Sequence, residues 1–172
     1  MSDHHDSHDS HELSFWRKYI FSTDHKIIGL QYGITALCFL FFGFCLMMLM
    51  RWQLAYPGEP IPFISDVWPG FGKLVDWIRL VVLKIPGSNF ADETLPGGVM
   101  LPEFYNQLGA MHGTIMVFMG IVPLAVGAFG NYIVPLQIGA VDMAFPKLNM
   151  ASYWSFFVGG TVMLASFLAP GG

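Results

Sequence analysis

His112 is the only histidine inside a long apolar segment of this chain, between Leu108 and Phe118. An imidazole can gain a proton near neutral pH and is costly to place in hydrocarbon, so a histidine in such a segment indicates a functional site with a specific partner. Histidine is also the usual axial ligand of haem iron. From the residues alone, the alternative is a structural histidine that hydrogen-bonds a neighbouring helix.

The composition is typical of a membrane protein. Hydrophobic residues make up 54% of the 172 residues and charged residues 12%, against about 25% charged in soluble domains. The formal net charge is −4 and no basic stripe is present, so we expect no nucleic-acid partner. Cys38 and Cys45 lie in one apolar run; seven residues of helix separate them too far for a disulfide.

Three apolar segments predict membrane-spanning helices at 27–50, 108–133 and 151–169, because about 20 apolar residues cross a bilayer. The expected fold class is therefore an all-α membrane protein. A polar tail and the start of the first helix occupy 1–26, and 134–150 forms the loop between the second and third spans. The short end, 170–172, is expected to be a truncation, with the full sequence continuing into further helices.

The loop 51–107 is long and contains a possible helix at 72–84. Lys73, Asp76 and Arg79 recur there at three-residue steps and predict a polar edge opposite an apolar one. That pattern fits a helix lying in the membrane interface. A packing helix within an extramembrane lobe fits the pattern equally well.

The basic residues indicate the orientation weakly. One group lies on the side of the amino terminus and a second lies in the long loop, where positive charge has less influence on topology. We therefore predict a cytoplasmic amino terminus and an extracytoplasmic 51–107 loop. The first group is Arg17, Lys18, Lys26 and Lys147, and the second is Arg51, Lys73, Arg79 and Lys84.

A six-coordinate haem at His112 would need a second axial ligand. Met116 is chemically suitable, but it lies one turn from His112 on the same helix and cannot reach the opposite face of the iron. The second ligand must come from another chain or from sequence beyond Gly172.

Four motifs resemble subunit I of the A-type haem–copper oxidases, the cytochrome c oxidase family. The strongest are the family's second transmembrane helix and the loop that follows it; the other two are the beginning and end of its first helix. In this chain they read YNQLGAMHGTIM (105–116), GNYIVPLQIGAVDMAFPKLN (130–149), STDHKIIG (22–29) and RWQLAYPG (51–58). The resemblance implies an amino-terminal fragment with three of the family's twelve transmembrane helices.

The resemblance also implies the activity of the full subunit. The family's enzymes oxidise cytochrome c, reduce oxygen to water and pump protons, together with subunits II and III, in the bacterial inner (plasma) membrane. The high-spin haem and copper B are bound by later helices, so no catalytic residue is expected here and the fragment alone should be inactive.

By the same resemblance, His112 is an axial ligand of the low-spin haem. The resemblance favours haem A, and the sequence itself leaves the haem type open. Gly113 has no side chain and would let the flat ring approach the helix. Arg51 matches the arginine that contacts the haem formyl group, a contact that would tune the potential. On residues alone, Arg51 is an ordinary arginine at a helix end.

Asp142 matches the carboxylate at the mouth of the family's D proton pathway, and Asn131 and Asn149 match the asparagines just inside it. A carboxylate at the water boundary collects protons, while amides hold ordered water by donating and accepting hydrogen bonds. The alternatives are a loop aspartate and an Asn149 that caps the third helix.

The chain departs from the family pattern at several positions. Gln53 stands where many relatives have a glutamate of a calcium or sodium site, which puts that site in doubt although Gly58 is retained. Phe104, Phe42 and Leu46 stand where the related quinol oxidases carry a histidine, an arginine and an aspartate. Cytochrome c is therefore the expected electron donor, with a quinol-oxidising relative as the alternative.

Two other hypotheses have different functions. One is a complete three-helix electron carrier that dimerises, with each chain giving one His112 to a shared haem. The other is a non-enzymatic membrane module with a structural histidine. The first leaves the proton-uptake motif unused, and the second leaves the whole set of motifs unexplained.

Overall fold

The computed structural model describes residues 19–86 and 89–168, so the predictions for 1–18 and 169–172 lie outside the described residues. Within these ranges every regular element is helical, which confirms the all-α fold class. The helices are α1 (His25–Ala55), α2 (Ile64–Ile78), α3 (Phe90–Thr94), α4 (Pro102–Ile138) and α5 (Pro146–Leu168). A π-helical segment, Arg79–Leu83, continues α2.

Helices α1, α4 and α5 have 31, 37 and 23 residues and are apolar enough to cross a membrane. Each is longer than predicted, because hydropathy marks only the apolar middle while local chemistry fixes the ends. The Asp24 carboxylate accepts from the Lys26 amide at 2.8 Å and caps α1. Pro102 and Pro146 begin the other two helices, as proline favours a first turn, and Gly139 ends α4 with φ of 69°.

These longer helices change the setting of three predicted site residues. Arg51 and Gln53 lie in the last turns of α1 rather than in a loop. Asn149 lies inside α5, whose N-cap is Phe145. The alternative that Asn149 caps this helix is therefore wrong, since Pro146 begins the helix three residues earlier.

Glycines allow α1 and α4 to approach closely. A Cβ atom at Gly29 would lie 3.1 Å from the Ala128 carbonyl oxygen, and one at Gly127 would lie 2.5 Å from Cδ1 of Tyr32. Small residues at such crossings are typical of membrane helices, where close packing replaces the hydrophobic driving force. This crossing holds together the helices that carry Arg51, His112 and Asn131.

The middle of α4 has wide turns. Ile115–Ile121 and Pro123–Gly130 are π-helical, between α-helical ends. Pro123 has no amide hydrogen and displaces the carbonyl of the preceding turn, so the hydrogen-bond ladder must adjust around it.

The segment between α1 and α4 folds into a lobe over the ends of the spanning helices. The Trp68 indole donates to the Thr94 hydroxyl at 2.9 Å, and its ring lies 5.6 Å from Phe90 and 6.0 Å from Phe104. Helix α2 begins at Ile64, eight residues before the predicted position 72. Through Trp68, one of its faces packs within the lobe.

Of the predicted polar edge of this helix, Lys73 is exposed, but the prediction is wrong for Asp76 and Arg79. The Arg79 side chain is only 2% exposed and Asp76 accepts from the Phe90 amide at 3.0 Å, so both residues turn inward. The Arg79 guanidinium contacts Glu93 at 2.8 Å, donates to the Leu168 carbonyl and lies 4.9 Å from the centre of the Phe90 ring. Arg79 therefore fastens the lobe to the end of α5.

We predict that Arg79→Ala lowers the free energy of unfolding by about 2 kcal/mol, chiefly because the Leu168 carbonyl loses its donor. The ion pair adds little, since Glu93 is 44% exposed and solvent screens it. Thermal unfolding in detergent, followed by circular dichroism, measures the change. Lys73→Ala, an exposed control on the same helix, should change stability by less than about 0.5 kcal/mol. Equal effects would contradict the role of Arg79.

Candidate functional site

His112 lies on α4 and faces α1. Its Nδ1 is 2.9 Å from the carbonyl oxygen of Gly43. A carbonyl oxygen only accepts hydrogen bonds, so Nδ1 carries a hydrogen, and in the neutral imidazole Nε2 then has the lone pair. A hydrogen bond to one ring nitrogen that leaves the other free is the arrangement of metal-ligating histidines in proteins.

The surroundings of His112 fit a flat macrocycle on one side. Apart from its chain neighbours, a Cβ atom at Gly113 would meet nothing within 4 Å, so α4 is open at the position next to His112. On the α1 side, a Cβ at Gly43 would lie 2.8 Å from the Met116 sulfur, which leaves no room. The free Nε2 and the open side are the two features that a haem requires of this helix.

The other residues predicted near this site lie towards the end of α1. Arg51 is exposed and comes eight residues after Gly43, about 12 Å along the helix. The Gln53 side-chain oxygen accepts from the Met100 amide at 3.4 Å, and Gly58 has a φ of 80°. Among the described residues, no group of three His, Cys, Asp or Glu side chains is placed to hold a metal ion.

The two predicted asparagines line one cavity of about 410 Å³, which we call the asparagine cavity. Asn131 comes from α4 and Asn149 from α5, and Tyr32 and Ser152 add two hydroxyl groups to the lining. The remaining lining is largely apolar, from Phe118, Val122, Pro123, Val126, Gly127 and Phe156. The structure thus brings together residues that are far apart in the sequence.

A directed chain of hydrogen bonds runs along this cavity. The Ser152 hydroxyl donates to the Asn149 carbonyl at 2.7 Å. Its single hydrogen is then used, so at the 3.0 Å contact between the hydroxyls of Tyr32 and Ser152 the donor is Tyr32. The Asn131 amide donates to the Gly127 carbonyl at 2.7 Å, and its oxygen is the atom available to accept.

Asp142 lies outside the cavity lining, in the loop before α5, and is exposed. Its carboxylate accepts from the Met143 amide at 2.7 Å. The Asn149 amide contacts the Met143 sulfur at 3.0 Å. Met143 therefore separates the exposed carboxylate from a residue that lines the cavity.

Sequence reasoning assigned no role to Tyr32, Ser152 or His25. His25 is buried, and its Nδ1 donates to the Asn131 carbonyl at 2.9 Å, which fixes Asn131 against the start of α1. The available signal was periodicity: Tyr32 follows His25 by two turns and Ser152 follows Asn149 by one turn, so each pair shares a helix face.

A second cavity, of about 350 Å³, lies under the lobe and has an almost wholly apolar lining. Phe42 and Leu46 of α1 and Phe104 of α4 contribute to it, and Trp68 and Phe90 cover it from the lobe. The three positions that distinguish quinol oxidases in sequence therefore share one cavity here.

Together, the fold and the sites define an integral membrane helical protein with a potential metal-ligating imidazole and a polar cavity at different depths. His112 and Asn131 are 19 residues apart on α4, on the order of 25 Å. The chain belongs to the family described as Cytochrome C and Quinol oxidase polypeptide I, whose family model matches residues 27–172.

Curated relatives agree with this family. The chain is 38% identical over 157 residues to cytochrome c oxidase subunit 1 of Thermostichus vulcanus, covering 91% of this chain and 22% of the relative. It is 36% identical over 159 residues to cytochrome c oxidase subunit 1 of Synechocystis sp., which covers 92% of this chain and 22% of the relative. It is 34% identical over 162 residues to the alternative cytochrome c oxidase subunit 1 of Bradyrhizobium diazoefficiens, which covers 94% of this chain and 21% of the relative. The chain thus spans about a fifth of the length of these relatives.

Proposed function

We propose that this chain supplies a low-spin haem ligand and the proton-uptake segment of a cytochrome c oxidase subunit I. The observation that carries the proposal is the His112 Nδ1 hydrogen bond to Gly43, which leaves Nε2 free on an open side of α4. Bound there, haem would supply one-electron transfer. Arg51 would contact its formyl group if the haem is haem A. The high-spin haem and copper B would be bound by other parts of the full subunit.

The asparagine cavity supports the proton-uptake half of the proposal. Asp142 is exposed to water and takes up protons, while the two asparagines and the hydroxyls of Tyr32 and Ser152 hold ordered water behind it. Hydroxyl and amide groups both donate and accept, so they can order a file of water molecules in a largely apolar space. His25 positions Asn131 through its carbonyl.

The apolar cavity under the lobe favours cytochrome c over a quinol as the electron donor. A quinol head group has two oxygen atoms that need hydrogen-bond partners when buried. Phe42, Leu46 and Phe104 offer none. In this proposal cytochrome c is oxidised by the assembled enzyme, which includes subunits II and III.

The proposed location is the bacterial plasma membrane, with the amino terminus and Asp142 on the cytoplasmic side. Thr23, before α1, and the segment 144–148, at the start of α5, line one shared pocket, so both lie at the same end of the bundle. Lys26 and Lys147 then fall on one side, in agreement with the positive-inside rule.

Spectroscopy and oxygen consumption of the complete native gene product, purified from membranes, test this function. We expect a low-spin haem band and oxygen consumption with reduced cytochrome c. Oxygen consumption with quinol alone would favour the quinol-oxidising alternative. Haem without oxygen consumption would favour the dimeric carrier, and a colourless protein would overturn the haem proposal.

We predict that Gly43→Ala reduces haem affinity by up to about tenfold, the lower end for residues that orient a metal ligand. The new methyl group would meet the Met116 sulfur and Ile115, which moves the Gly43 carbonyl away from His112. Electron paramagnetic resonance g values of the low-spin haem report the imidazole orientation and should shift.

Gly33→Ala is the matched control on α1, since its Cβ would make an ordinary 3.5 Å contact with the Ala128 Cβ. It should leave the haem content and the g values unchanged. Wild-type g values in Gly43→Ala would show that this carbonyl does not orient His112.

A further inference from the structure

Helix α2 and its continuation to Leu83, together with the N-cap residue Phe63, carry an apolar face whose side chains are more than half exposed, which we call the outer face. It consists of Phe63, Val67, Leu74, Trp77 and Val81, all exposed. Phe63 is 78% and Trp77 60% exposed. Val67, Leu74 and Val81 recur at seven-residue steps, so they lie along one side of the helix.

The outer face is distinct from the face that builds the lobe. The inward residues are Trp68, Gly72, Val75 and Arg79, and a Cβ at Gly72 would lie 2.7 Å from the Cβ of Ala91. At about 100° per residue, the centre of this inward face lies roughly 150° around the helix axis from the centre of the outer face. The helix is therefore apolar on two sides, of which packing explains one.

The depth of this helix is fixed by its attachments. Arg79 donates to the Leu168 carbonyl at the last described residue of α5, and Trp68 contacts Phe104 in the first turn of α4. Only 56–63 connect α1 to α2. The helix therefore lies at the end of the bundle formed by the last turns of α1, the first turn of α4 and the last described residues of α5.

We propose that α2 and its continuation lie in the lipid–water interface, with the outer face against the acyl boundary and the polar edge towards the head groups. Asp66 and Lys73 form that polar edge, and Lys84 follows the last turn; all three are exposed. An exposed tryptophan beside lysines is typical of interfacial helices, because the indole prefers head-group depth and lysine pairs with anionic lipid. The proposal rests on the three spans and does not depend on haem.

Spin labels on adjacent residues test the proposal in the complete native gene product, reconstituted in vesicles of phosphatidylcholine and phosphatidylglycerol. Cys38, Cys45 and any cysteine in the rest of the gene product are first replaced by alanine. Leu74→Cys labels the outer face, and Lys73→Cys is the matched control on the polar edge. We expect the ratio of collision with oxygen to collision with a water-soluble nickel complex to be several-fold higher at position 74.

Two results would overturn the proposal. A label at position 74 that is shielded from both oxygen and nickel would show that protein covers the outer face. Nickel accessibility equal to that at position 73 would show that the face lies in water. Val67→Cys and Asp66→Cys form a second matched pair if the first variants fail to accumulate in the membrane.

Discussion

Replacing His112 by alanine should abolish the low-spin haem signal. The imidazole is held at Nδ1 by the Gly43 carbonyl, which fixes its direction and leaves Nε2 as the nitrogen that can bind iron. Losing a residue that merely orients a metal ligand costs about 10- to 100-fold in affinity, so loss of the ligand itself should exceed about 100-fold. Difference spectra of the purified native gene product measure the haem content.

Met116→Leu is the matched control for this experiment. Met116 lies one turn from His112 and has a sulfur atom that binds iron in other proteins, while leucine conserves its volume. This variant should retain the full haem signal. A low-spin haem that persists in His112→Ala would contradict the ligand assignment, and loss of haem only in Met116→Leu would move the assignment to the sulfur.

Replacing Asp142 by asparagine should slow steady-state oxygen consumption by at least about tenfold, equivalent to about 1.4 kcal/mol in the activation barrier. Asparagine at position 142 can still hydrogen-bond water, but it cannot release a proton and take another from bulk water. Proton uptake in reconstituted vesicles, measured together with oxygen consumption, should fall in parallel.

Asp66→Asn is the control for this charge change. Asp66 is an exposed carboxylate on α2 in the lobe, at the other end of the spanning helices. Its replacement removes the same charge from a surface that takes up no protons in the proposal, so the oxygen consumption rate should stay at the wild-type level. Equal rates in wild type and Asp142→Asn would exclude Asp142 as the point of proton uptake.

The spanning helices could be predicted because an apolar run of about 20 residues has few alternative folds. The ends of these helices could not be predicted, because they depend on single residues such as Asp24 and Gly139 rather than on mean hydropathy. The start of α2 was missed because Pro62, Pro69 and Gly70 read as a loop. Packing of Trp68 against Phe90 and Phe104 stabilises helix across this stretch.

The site was predictable only where a motif carried it. His112 and the two asparagines follow from the resemblance, but Gly43 is 69 residues from His112 and Tyr32 is 120 residues from Ser152. Such pairs depend on how α1 crosses its neighbours, which no local pattern encodes. Arg79 was assigned to a polar edge because periodicity cannot detect a carbonyl at the end of a distant helix.

The separation of His112 and Asn131 along α4 has an electrical consequence. In the proposed function, electrons arrive near one membrane surface and protons enter near the other, on the order of 25 Å away. Their meeting inside the bilayer is equivalent to moving one charge across it, which stores about 2.3 kcal/mol per 100 mV of membrane potential. Because of this spacing, oxygen reduction in the proposed enzyme would transfer net charge across the membrane even if no proton were pumped to the far side.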